Sequence, residues 1–130
     1  MLAIDDVPFL VHYPVMSPKL KAVFYSQPSS TRLVQPVRDW LLKLPKHERI
    51  EIGSDIQAVQ FGWPLGLPLV KHLQGELWEV RSSLGNRIAR VIFAVESDTI
   101  FLLHGFIKTS QKTPLAELAL AQNRWKLMKP

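Results

Sequence analysis

Apolar and polar residues change their period along this chain, and each change marks a different element. From residue 77 to 108 the two kinds alternate, whereas residues 36–61 and 113–125 space their apolar side chains three or four apart. A period of two sends alternate side chains to opposite faces of a strand; spacing of three and four gathers them on one face of a helix. Lys21–Tyr25 is short, apolar and aromatic, bounded by the turn-forming Ser26–Ser30 cluster, so it predicts a first strand. Pro36 suits a first helical turn, and Val37, Trp40, Leu41 and Leu44 follow at helical spacing. Pro45 separates this helix from a second over residues 46–61, where Ile52, Ile56 and Val59 share a face and Gly62 with Pro64 supplies the stop. The two helices are expected to pack as an antiparallel hairpin. After a Gly/Pro loop over residues 62–68, strands are predicted at 77–83, 87–95 and 99–108. Their connectors, 83–86 and 96–98, are short enough for antiparallel hairpins. Thr113-Pro114 reads as a helix start in which the hydroxyl caps, and Leu115, Leu118, Ala119, Gln122 and Trp125 form the stripe behind it. The order β-α-α-β-β-β-α implies an α+β fold with a mainly antiparallel sheet.

A chain of 130 residues fits one domain that buries roughly two thirds of its unfolded surface. Residues 20–130 form that domain. Residues 1–19 hold Pro8, Pro14 and Pro18, and Asp5 and Asp6 stand where a secretory signal would want positive charge, so this segment is expected to be an extended or poorly ordered arm. No apolar run approaches the ~20 residues of a membrane span. A soluble, cytoplasmic protein without a membrane partner is the expectation, and the lack of any Cys, which excludes disulfides and thiolate chemistry, fits a reducing compartment.

Charge changes the picture more than composition does. The net charge is +5, and residues 66–130 carry nine Lys or Arg against five acids. Cations on one face of a sheet make a phosphate platform, so nucleic acid is the first partner to consider. The chain has no Gly-rich phosphate loop, no metal-spaced His pair and no nucleophile elbow, so no cofactor and no metal are expected.

The run Lys71-His72-Leu73-Gln74-Gly75-Glu76-Leu77-Trp78-Glu79-Val80-Arg81, then Arg90-Val91-Ile92-Phe93, Leu102-Leu103-His104-Gly105-Phe106-Ile107-Lys108, and Gln111-Lys112-Thr113-Pro114 with Glu117 resembles the phage-derived branch of the RelE/ParE toxin superfamily, to which HigB-type toxins belong. The resemblance covers residues 20–127. It implies a RelE/ParE-like fold of N-terminal strand, helical hairpin, three-stranded meander and C-terminal helix. It further implies the toxin of a type II toxin–antitoxin system: a metal-independent endoribonuclease, an mRNA interferase, that cuts messenger RNA on the ribosome. Such a toxin is silenced by a helix-turn-helix antitoxin. Two other readings stay open, a ParE-like gyrase inhibitor and a non-catalytic nucleic-acid-binding prophage protein. Family members often carry a second Lys where this chain has Thr109 and an aromatic hydroxyl where it has Phe93.

Metal-independent RNA cleavage needs the 2′-hydroxyl deprotonated, the phosphorane charge neutralised and the leaving oxygen protonated. The resemblance assigns phosphate clamping to Arg81, and catalytic positions also to Lys108, His72 and Lys71; His72 suits proton transfer. Lys112, Arg87 and Arg90 are the expected RNA contacts, with a structural ion pair to Glu79 as the other reading of Arg90. His104, set among apolar residues, reads as a hydrogen-bonded core imidazole. Trp78, opposite Arg81 by strand alternation, reads as core beneath the helical hairpin.

Overall fold

In the computed structural model, which describes residues 18–108 and 112–130, the elements in chain order are β1 (Lys21–Phe24), β2 (Gln27–Pro28), β3 (Leu33–Val34), α1 (Pro36–Lys43), α2 (Lys46–Gly62), β4 (Val70–Gln74), β5 (Leu77–Leu84), β6 (Arg87–Glu96), β7 (Thr99–Lys108) and α3 (Leu115–Met128). Five strands make one mixed sheet in the order β1-β7-β6-β5-β4. From β4 to β7 it is an antiparallel meander, and β1 adds to its far edge parallel to β7, pairing Lys21 with Thr99 and Phe24 with Leu102. Gly75 and Gly85, at φ +54° and +76°, turn the first two hairpins in backbone conformations that a Cβ disfavours.

Helices cover both faces. α1 rests on β7 and α2 on β5, and beneath them Leu41, Ile52, Ile56 and Val59 pack with Val80, Val91, Phe93, Ile100 and Leu102. α3 lies on the opposite face, where Ala121 and Trp125 meet Tyr25, Leu77, Ile92, Ala94 and Leu103. Each large apolar side chain removed from water in this way stabilises the fold by about 1.5–3 kcal/mol before entropy is counted. A bulge in β7 decides which residues face which layer. Ile92 pairs with His104 but Phe93 with Leu102, so β7 spends one extra residue there. After the bulge, Gly105 and Ile107 face α1, while His104, Phe106 and Lys108 face the α3 side.

The α+β class and the meander agree with the alternation, and four features depart from it. β4 forms just beyond the Gly/Pro loop, where no strand is predicted, because Val70–Gln74 finds a free edge on β5 one tight turn away. The Ser26–Ser30 region holds one strand of a two-stranded ribbon, β2–β3. The two N-terminal helices pack chiefly down onto the sheet, α1 on β7 and α2 on β5. Thr113 does not cap α3; Pro114 holds the N-cap position, and the hydroxyl is used elsewhere. The expected N-terminal arm lies outside the described residues except for Pro18 and Lys19, and so does Thr109. No helix among the described residues is long and apolar enough to cross a membrane.

Candidate functional site

Register places the cations. In a sheet, side chains of directly paired residues point the same way. Lys71 pairs with Glu79 and Glu79 with Ile92; Arg81 pairs with Arg90 and Arg90 with Phe106; Ser83 pairs with Ile88 and Ile88 with Lys108. Glu79, Arg81 and Ser83 share one side of β5 by period two, so Lys71, Arg81, Arg90 and Lys108 all stand on the α3 side of the sheet. Arg81, Arg90 and Lys108 occupy the end of that face where β7 finishes, and Lys71 stands one row further in, level with Ile92 and His104, which α3 reaches. Arg81 and Lys108 are two strands apart, about 10 Å across the sheet. Four cations thus stand on this face with the carboxylate of Glu79, and Glu117 of α3 reaches the same face at His104.

Beneath those cations lies a buried clasp. Glu79 and Arg90 have no solvent-exposed surface, and Arg90 Nη1 donates to Glu79 Oε1 at 3.1 Å and to Thr113 Oγ1 at 3.2 Å. The Thr113 hydroxyl in turn donates to Glu79 Oε2 at 2.5 Å. A buried ion pair recovers its desolvation cost only when its remaining valences are filled, and Thr113 fills one on each partner. The clasp pins Thr113 onto the sheet and so brings Lys112, exposed and one residue away, to the basic end. Arg81 stands at its margin, 18% exposed, with Nε 3.8 Å from Glu79 Oε1.

The expected site residues are only partly gathered. Lys71, Arg81 and Lys108 share the face, and Lys112 adjoins it. Lys71 and Lys108 form no ion pair among the described residues. His72 does not join them: one residue on from Lys71, it points to the α1/α2 side, its ring 4.6 Å from that of Trp78 and its Nε2 donating to the Gly75 carbonyl at 2.8 Å. Arg87 is also on the α1/α2 side, ion-paired with Glu48 of α2. Arg90, expected as an RNA contact, is sealed within the clasp, and its ion pair with Glu79 is the reading the geometry keeps. His104 faces α3: Nε2 donates to Glu117 Oε2 at 2.9 Å, and Arg124 Nη1 lies 3.4 Å from Nδ1 while donating to the Leu103 carbonyl. Both ring nitrogens are thus engaged. Burial lowers the Arg124 pKa, against the pull of Tyr25 and Glu117.

A cleft opens beside Arg81. β4 pairs with β5 only as far as Val70 and Val80, with the Arg81 amide reaching back to the Leu69 carbonyl, so the rest of β5 is a free edge facing α2. The cleft between them measures about 400 Å³ and is lined by Glu51, Asp55, Pro68, Leu69, Arg81, Ser83 and Ile88. Burial raises the Asp55 carboxyl above its ordinary range; the Ser82 hydroxyl opposes this and the charge of Glu51 adds to it.

The sequence profile of the family described as phage derived protein Gp49-like (DUF891) matches residues 39–126, from the middle of α1 almost to the end of α3. The chain belongs to this family. It is a phage-derived family of the RelE/HigB toxin type. No curated protein matches the chain. The matched span of this Gp49-like chain contains all four meander strands, the clasp and the cleft, and leaves out β1. Two features of the Gp49-like face escape a reading of the sequence. The bond from Thr113 to Glu79 has only one signal, a Glu at an inward strand position flanked by core residues. The cleft acids Glu51 and Asp55, four apart on α2, look in sequence like an ordinary solvated helix face.

Proposed function

We propose that this Gp49-like protein is the toxin of a type II toxin–antitoxin pair, of the HigB-like branch, and that it cuts messenger RNA on the ribosome without a metal. One observation carries the reading: Lys71, Arg81 and Lys108 share a sheet face, beside a clasp that sets Lys112 at its border. Phosphoryl chemistry on RNA places its growing charge on the non-bridging oxygens, and fixed cations in a partly desiccated site stabilise that charge most. Arg81 presents a planar fork for the scissile phosphate, while Lys71 and Lys108 act as point charges along the backbone. Arg90 and Glu79 are positioning residues in this scheme. His72 takes no part because it stands on the other side of the sheet. A helix-turn-helix antitoxin is the proposed silencing partner.

Expression of the chain in a bacterium tests the reading. Growth arrest with rapid loss of messenger RNA is expected, and the Arg81→Ala/Lys108→Ala variant should grow normally while melting within a few degrees of the parent. Arrest with a DNA-damage response would instead assign a gyrase target. A folded double variant that still destroys messenger would overturn the site.

A further inference from the structure

We propose that the cleft between α2 and the free edge of β5 is a base pocket that selects guanine in the RNA lying across the basic face. This rests on the RNA-cleaving reading and adds a specificity element to it. The cleft and the face share Arg81, Ser83 and Ile88, and Ile88 pairs directly with Lys108. A backbone held by Lys71 and Lys108 therefore passes the cleft mouth. Pro68, Leu69 and Ile88 give the cleft an apolar lining suited to a flat ring, and its volume of about 400 Å³ admits one.

The polar groups narrow the choice. Glu51 and Asp55 exclude a phosphate from the cleft by charge and demand a ligand edge that donates. Asp55 is partly buried and has the charge of Glu51 beside it, so a donor edge entering the cleft would relieve both. Arg81 supplies the opposite need: its Nε turns toward Glu79 Oε1 at 3.8 Å, and the side chain lines the same cleft as the two acids. Guanine meets both at once. Its N1–H and N2–H groups form a paired donor edge for a carboxylate, and its O6 and N7 accept from a guanidinium. Adenine and cytosine each offer one amino group, and uracil offers a single N–H between two carbonyls, so none matches the carboxylate with two donors.

Guanosine, which lacks a phosphate, separates this pocket from the phosphate platform. In a titration of the full chain followed by backbone amide NMR, guanosine should shift the signals of residues 51, 55, 69, 83 and 88, and adenosine, cytidine and uridine should bind about tenfold more weakly or less. Asp55→Asn should erase that preference while retaining growth arrest with relaxed cleavage beside guanines; Glu51→Gln serves if the first variant fails to fold. Equal binding of the four nucleosides, or an unchanged preference in both variants, overturns the pocket. So does occupation of the cleft by N-acetyl-arginine amide in place of guanosine, which would assign it to a cationic protein segment. Messenger loss without guanosine binding removes the pocket alone. Guanosine binding without messenger loss keeps the pocket and removes the nuclease reading.

Discussion

Glu79, Arg90 and Thr113 show how much one buried contact can organise. Removing one partner of a buried pair leaves the other charged and out of water, which costs about 3–5 kcal/mol, whereas replacing both with apolar residues of similar volume is often neutral. Arg90→Ala should therefore destabilise the protein by about 3–5 kcal/mol in urea unfolding, and Arg90→Met with Glu79→Leu should recover most of the loss. If Arg90→Ala unfolds at the parental urea midpoint, the clasp carries no weight. The Arg90–Glu79 pairing was visible in the sequence as one of two readings, since neighbouring strands of a meander bring such residues together. Thr113 was not, because its hydroxyl has an equally good local use as a cap and only the packing of Thr113 against the sheet decides between them.

At the scale of elements, the seating of α1 depends on an absent side chain. A Cβ on Gly105 would lie 2.4 Å from two ring carbons of Trp40. Because these are carbons of a packed indole, Gly105→Ala should push α1 away from β7 and lower stability by about 1–3 kcal/mol in a thermal melt, and Trp40→Leu should relieve part of that cost. The far end of α3 is held by charge. Lys129 Nζ and Trp125 Nε1 both donate to Glu76 Oε1, at 2.6 and 3.2 Å. Chiefly the bond from Lys129, and then that from Trp125, holds the Glu76 carboxyl below its ordinary pKa. The folded chain thus keeps this charge to lower pH than the unfolded chain does. The stabilisation is complete above the unfolded carboxyl's pKa and is lost as pH falls through the folded value. Glu76→Gln should accordingly be less stable than the parent at neutral pH and converge with it in acid, by a small margin because the pair is exposed. Parallel melts across that range, or amide exchange in α3, measure the difference.

For the whole molecule, the sheet is a partition. Its α1/α2 side takes His72 and Arg87 out of the site, and its α3 side collects Lys71, Arg81 and Lys108. If those three each neutralise a phosphate of single-stranded RNA, the logarithm of the binding constant should fall with the logarithm of salt concentration at a slope of about −2. The Lys108→Ala variant should reduce that slope by roughly 0.7. A slope near zero would mean that the face does not meet a nucleic-acid backbone.

The amino-acid pattern by itself determined the elements that repeat over several turns or alternations: the two N-terminal helices, the three long strands of the meander and α3. In each, many residues vote for one period and the backbone has a single way to satisfy them. Period two also put Arg81 on the side opposite Trp78, and Lys108 in phase with His104. Tertiary structure alone decided the rest. β4 needed a neighbouring edge, the β7 bulge set which side the end of that strand presents, and β1 found its parallel partner more than seventy residues away. The adjacency of Lys71 and His72 in sequence suggested a pair, but in a strand neighbours diverge to opposite faces, and only pairing with β5 revealed that the segment is a strand. The clasp and the cleft are likewise products of packing, since each joins residues separated by about thirty positions that no local period connects.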